Sequence, residues 1–136
     1  LIKRLGIVLF SFLLLSGCNG SDIKRSTELE KEFHSAINTV SDNRDSEVYI
    51  KTLANFKWDK AFLINPYTSQ EEIEKQISVT FKDPSNINSR DDIYLLIFLH
   101  QGKVIQYAEI DRLKSSLSLG EKAYLTPSDD VIYIER

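Results

Sequence analysis

Hydrophobic positions change their period several times along this chain, and each change marks an element. Leu5 to Leu15 is an apolar run broken only by Gly6 and Ser11, preceded by Lys3 and Arg4 and followed by polar Asn19-Gly20-Ser21-Asp22. A spanning helix needs about 20 apolar residues, so this run has the length of a signal peptide and is too short to stay in a bilayer. From Ser26 to Val40, Leu29, Phe33, Ala36, Ile37 and Val40 recur at helical spacing, and Thr27 with Glu30 has the form of a capping box. The pattern predicts an amphipathic helix with one buried stripe. His34 falls well away from that stripe and is expected to face water or Glu30 one turn earlier.

After the polar break Ser41 to Asp45, the runs Glu47 to Leu53 and Phe56 to Ile64 read as strands joined by a turn at Ala54-Asn55. In the second run, period two puts Phe56, Trp58, Phe62 and Ile64 on one face and Lys57, Asp59, Ala61 and Leu63 on the other. Lys60 interrupts the apolar face and is expected to lay its methylenes along Trp58. Pro66 ends the strand, Ser69 with Glu72 repeats the capping-box pattern, and Ile73 and Ile77 mark one side of a short helix that fades by Ser78. Lys82 to Asp91 reads as a polar surface loop. Ile93 to Leu99 is continuously apolar, as in a central strand covered on both faces. Gln101-Gly102 has hairpin spacing, His100 is a strand-end surface residue, and the partner strand runs from Lys103 to about Ile110. Lys114 to Gly120 reads as a flexible stretch, and Ala123 to Leu125 and Val131 to Ile134 as two last strands. The order predicts an α+β fold: a mostly antiparallel sheet with the N-terminal amphipathic helix and a second short helix packed on one face.

The end of the first apolar run specifies which kind of signal it is. Leu15-Ser16-Gly17-Cys18 resembles a bacterial lipobox in full. The resemblance implies that residues 1–17 are a lipoprotein signal peptide, and that Cys18 carries a thioether-linked diacylglycerol and heads the mature chain. Two acyl chains hold a protein at a membrane where one dissociates readily. Residues 18–25 then form a short tether, and residues 26–136 a single α+β domain. Eight residues from Cys18 to Ser26 reach at most roughly 28 Å, so the domain is expected to work close to the membrane. Asn19, rather than Asp, after the cysteine points to the outer membrane in a two-membrane bacterium. In a one-membrane bacterium the address is the outer face of the cytoplasmic membrane. Leu1 in a chain without Met reads as the literal translation of a non-ATG start codon, the mark of a complete, bacterial N-terminus.

Charge and chemistry narrow the function classes. Residues 1–17 hold two of the 17 basic residues and none of the 20 acidic ones, so the mature chain has a formal charge of -5. That balance argues against nucleic acid and anionic lipid as partners. The basic pair Arg112 and Lys114 stands beside Asp111 and reads as solvated surface. The single cysteine is expected to be consumed by lipid, leaving no disulfide, no thiolate nucleophile and no zinc spacing among two histidines. No phosphate loop, nucleophile elbow or metalloprotease motif occurs, and no cofactor is implied. The acid pairs Glu71-Glu72, Asp91-Asp92 and Asp129-Asp130 read as caps or as neighbours facing opposite ways. A carboxylate pair drawn from distant positions, such as Asp92 with Glu109 in a wall-glycan hydrolase, is the remaining enzymatic reading.

Phe56-Lys57-Trp58-Asp59-Lys60, Pro66-Tyr67-Thr68-Ser69 and Glu72-Ile73 resemble a group of small, uncharacterised bacterial lipoproteins with a Trp-Asp-Lys/Arg strand followed by Pro-Tyr-Thr and a short helix. The Ile93 to Val104 segment fits the same pattern, so the likeness covers about half the mature chain; Asn65 departs from it. The group carries no activity to transfer. Trp58, Asp59, Lys60 and Tyr67 can be read as an aromatic and charged patch for a partner, since such aromatics concentrate in binding hot spots. Core filling by Trp58, strand ending by Pro66 and a Tyr67 ring packed beside a helix start account for the same residues without a partner. The leading expectation is a non-catalytic module tethered to a membrane through Cys18 that binds an envelope protein or peptide. The alternative is an inhibitor or immunity protein whose acidic charge suits a basic toxin or hydrolase.

Overall fold

The computed structural model describes residues 23–39 and 46–135; the lipobox, Cys18 and Val40 lie outside them. The fold is α+β with mostly antiparallel pairing, as the element order predicts. Its strands form two sheets. One has the order β1 (Lys24–Arg25), β5 (Lys103–Asp111), β4 (Ile93–His100), β3 (Lys60–Ile64); the other has β2 (Ser46–Tyr49), β7 (Val131–Glu135), β6 (Ser116–Ser118). Among the described residues only β1 against β5 is parallel.

Helix α1 (Thr27–Thr39) buries Leu29, Phe33 and Ile37. The capping box expected inside it does not form. The helix starts one residue earlier in its hydrogen bonding, with the Glu30 N–H donating to the Ser26 carbonyl, and the Glu30 side chain is taken by Arg25 and the backbone of Glu109. Lys24 and Arg25, read as the end of a tether, are the edge strand β1.

Strand β4 organises the interior. It alternates Tyr94, Leu96 and Phe98 into a first core with Ile93, Leu95, Ile97 and Leu99 in a second. The first core is closed by α1 and by Val48, Leu117, Ile132 and Ile134 of the second sheet. The second is closed by Ile73 and Ile77 of α3 (Gln70–Ile77), with Phe81 and Ile87. The two helices therefore cover opposite faces of the four-stranded sheet rather than one, as a strand apolar on both sides requires. The β4–β5 hairpin turns through Gln101 (φ 52°) and Gly102 (φ 76°), the two left-handed residues of a type I′ turn.

Several sequence expectations change at β2 and β3. The strand that begins near Glu47 stops at Tyr49, because the Ile50 N–H donates to the Asp130 carbonyl and the Lys51 N–H to Asp130 Oδ2 at 2.7 Å, starting the single turn α2 (Ile50–Leu53). Strand β2 pairs with β7, not with the run after it. Residues 56–59 precede the β3 ladder and are irregular, so period two does not carry across them: Trp58 enters the first core and Phe62 the second. The Lys60 ammonium lies 4.8 Å from the Tyr124 ring, not along Trp58. The stretch read as flexible contains β6. Of Ala123 to Leu125 only Leu125 pairs, in an isolated bridge to Ala61.

Candidate functional site

The four residues read as a patch do not assemble. Trp58 is 7 % exposed, its ring edge-on to Phe98 with centroids 5.4 Å apart. Asp59 is exposed, and its Oδ2 accepts the Gln101 N–H at 2.7 Å, which fixes the β4–β5 turn. Lys60 follows it, opposite Leu99. Tyr67 stands beyond the other end of β3, its N–H donating to the carbonyls of Ile87 and Arg90. The length of a five-residue strand, roughly 17 Å, separates it from the other three. Tyr67 is 64 % exposed and holds φ at 65°, a left-handed conformation that costs a bulky residue about 1 kcal/mol or more. His34 is exposed as expected, and His100 is partly exposed at its strand end.

The structure brings together a different set of charges. A cleft of about 660 Å³ lies between α1 and the start of the four-stranded sheet. Strand β1 supplies Arg25, the first turn of α1 Glu30, β5 Glu109, and the segment entering β4 Arg90 and Asp92. Arg25 is bidentate to Glu30, with Nε to Oε2 at 2.8 Å and Nη2 to Oε1 at 3.1 Å, and reaches Glu109 at 3.4 Å. Arg90 is bidentate to Asp92 at 2.9 and 2.7 Å, and its Nη1 donates to Glu109 at 3.1 Å and to the Ser85 carbonyl. The Glu109 side chain, 12 % exposed, is thus clamped between two guanidiniums. Hydrogen bonds to Glu30 raise Arg25 above the usual arginine range, and those to Asp92 do the same for Arg90.

This arrangement joins Asp92 and Glu109, the distant pair singled out from sequence, through one arginine. Hydrogen bonding from Arg90 lowers the Asp92 carboxyl below its usual range. A glycosidase acid needs the opposite shift, a carboxyl kept protonated near neutral pH. The cleft geometry is that of a charge clamp fastening β1 to α1, β5 and the entry to β4. Sequence reasoning missed Arg25 and Arg90 and took Glu30 only as a cap and a neighbour of His34; Arg25 and Glu30 are five residues apart, and the pairing of β5 with β1 and β4 brings Glu109 to both arginines. No group of three or more His, Cys, Asp or Glu among the described residues is placed to hold a metal.

A second concavity, about 580 Å³, opens on the outward face of the second sheet around Glu47, Tyr49, Tyr133 and Glu135. Tyr49 is 50 % and Tyr133 40 % exposed. The Tyr49 hydroxyl donates to Glu47 Oε2 at 3.2 Å, and that bond raises the phenol above its ordinary range. The chain matches no protein-family model, no curated protein and no solved structure.

Proposed function

We propose that the chain is a lipid-anchored cell-envelope lipoprotein whose domain is a non-catalytic binding module. The observation that carries this reading is the shortness of the connection between its two halves. Cys18, the acceptor implied by the lipobox, stands six residues before Lys24, the first residue of the four-stranded sheet. That chain reaches at most roughly 20 Å, against roughly 28 Å for the eight residues to Ser26. Arg25, the next residue, is fastened by Glu30 and Glu109, so a pull on the lipid would be transmitted to the sheet rather than to a loose arm. The membrane in question is the outer face of the cytoplasmic membrane, or the outer membrane where there are two.

The clamp supports the non-catalytic part of the reading, because the carboxylates nearest to an acid pair are engaged by guanidinium. A second reading, an inhibitor or immunity protein against a basic toxin or hydrolase, draws on the -5 formal charge of the mature chain and on the carboxylates of the outward sheet face. The partner's origin, the cell's own envelope or a foreign protein, separates the two. Intact-mass analysis of membrane-extracted protein tests the anchor. The expected mass is that of a chain beginning at Cys18 plus diacylglycerol, with or without a third acyl group, absent in Cys18→Ala. An unmodified soluble chain would overturn the proposal.

A further inference from the structure

We infer that the outward face of the second sheet is a docking surface for an extended, arginine-bearing peptide segment of a partner protein. The inference rests on the binding-module reading and gives the partner its chemistry. Period two fixes which side chains are offered. Val48, Ile132 and Ile134 point into the first core, so Glu47 and Tyr49 on β2 and Tyr133 and Glu135 on β7 point out. The register places Glu47 beside Tyr133, with Ser118 on its other side and Ser116 beside Glu135. Small groups thus stand beside Tyr133 and Glu135. A Cβ added at Gly120 would come within 3.3 Å of the Tyr133 ring, so the floor there is kept low by glycine. The result is a shallow trough with aromatic and carboxylate walls.

The charge on this face is uncompensated. Glu47 and Glu135 make no ion pair among the described residues. Lys122 has its ammonium 5.8 Å from the Tyr133 ring and 2.8 Å from Asp129, with which it forms an ion pair. An ammonium against Tyr133 shows that the ring accepts a cation on this surface. The bond from the Tyr49 hydroxyl holds the Glu47 carboxylate close to a phenol, so one cationic plane can meet carboxylate and aromatic together. Guanidinium is the side-chain group that pairs with a carboxylate bidentately and stacks on a ring.

Spacing selects an extended occupant. Glu47 and Glu135 are one strand apart across the sheet and two residues apart along it, roughly 8 Å at the backbone. Alternate residues of an extended chain are roughly 7 Å apart on one side, which matches. Nucleic acid and anionic lipid would meet the same carboxylates with repulsion, and a second copy of this face would set like charges against each other.

The test is a titration of the mature protein with the peptide acetyl-Ala-Arg-Ala-Arg-Ala-amide, followed by NMR. It is carried out in phosphatidylcholine nanodiscs where Cys18 carries lipid and in buffer where it does not, so loss of the anchor and loss of the surface register separately. Saturable shifts at Tyr49 and Tyr133 are expected, with affinity reduced about tenfold in Glu47→Gln/Glu135→Gln and severalfold in Tyr49→Ala, at an unchanged melting temperature. The inference is overturned if the peptide does not bind at millimolar concentration, if both variants bind it like wild type, or if a peptide with Asp in place of Arg binds equally well.

Discussion

Glu109 and Glu47 each stand on a strand one residue from the core, yet their carboxylates meet opposite circumstances. Glu109 is 12 % exposed and lies between Arg25 and Arg90, while its backbone N–H is taken by Glu30. Glu47 is exposed, its carboxylate accepts the Tyr49 hydroxyl, and it shares an open face with Tyr133 and Glu135. In the cleft Arg25, Glu30, Arg90, Asp92 and Glu109 are tied into one network, and removing Glu109 takes from two guanidiniums the acceptor they share. On the sheet face neither Glu47 nor Glu135 enters an ion pair among the described residues. The contrast teaches that a cluster of charges, even inside the larger concavity, is not for that reason the place where a partner binds.

The sharpest way to break this contrast is Glu109→Ala. It leaves two guanidiniums without their common acceptor, and a loss of about 2 kcal/mol is expected in urea unfolding, the usual buried-pair value being reduced because both arginines reach solvent. A loss under about 0.5 kcal/mol would make the clamp ornamental. Acid should loosen the same clamp. Asp92 has a lowered pKa in the folded chain, so it contributes stability above its unfolded value near ~3.9, and that stability is lost as the pH falls through the folded value. Thermal unfolding from pH 7 down to pH 2 should therefore fall less steeply at its acid end in Asp92→Asn than in wild type. Equal slopes would remove Asp92 from the account.

Tyr67 sharpens the contrast from a third position. Among the described residues it is the most exposed of the large hydrophobic side chains, and it holds a left-handed φ of 65°, which glycine adopts freely. Tyr67→Gly should gain about 0.5 kcal/mol of stability, relief of the backbone conformation being partly offset by unfolded-state entropy. It should leave arginine-peptide affinity unchanged; a loss of affinity would move the docking surface toward Tyr67. The smallest effect belongs to Glu47→Gln, whose melting should stay within about 0.5 kcal/mol of wild type, since the amide oxygen still accepts the Tyr49 hydroxyl and no ion pair among the described residues is broken.

Elements held by local chemistry were legible in the sequence. The Leu29, Phe33, Ile37 stripe gave α1, the Ser69 hydroxyl accepts the Glu72 N–H at 3.2 Å to start α3, and Gln101-Gly102 gave the hairpin. The apolar run of β4 announced cover on both faces. What the pattern could not give was partner choice. Period two assigns faces to Glu47, Val48 and Tyr49 but is silent on whether they pair with the next strand or with β7, and the stop at Tyr49 is imposed by Asp130, 79 residues along from Lys51. β6, Ser-Leu-Ser, is too short to carry a period at all.

The same limit governed the site. Asp92 and Glu109 were named from sequence as a pair, but the arginine that joins them sits in a stretch that reads as a polar loop, and Arg25 in what reads as a tether. Trp58, Asp59, Lys60 and Tyr67 are close in sequence and admit two readings, one surface or core filling and strand ending; the irregular segment before β3 turns Trp58 inward, as the second has it, and the length of β3 carries Tyr67 away. A signal for the sheet face was present in the outward positions of two strands, where Glu and Tyr recur at 47, 49, 133 and 135. It became a site only once β2 and β7 were paired.

Stability and arginine-peptide affinity measured together on Glu109→Ala and on Glu47→Gln/Glu135→Gln test the account most directly. It predicts a crossed result: the first melts lower but, below its transition, binds the peptide like wild type, whereas the second melts with wild type and loses about tenfold in affinity. Loss of affinity in folded Glu109→Ala, with Glu47→Gln/Glu135→Gln binding normally, would contradict it and put the partner in the cleft.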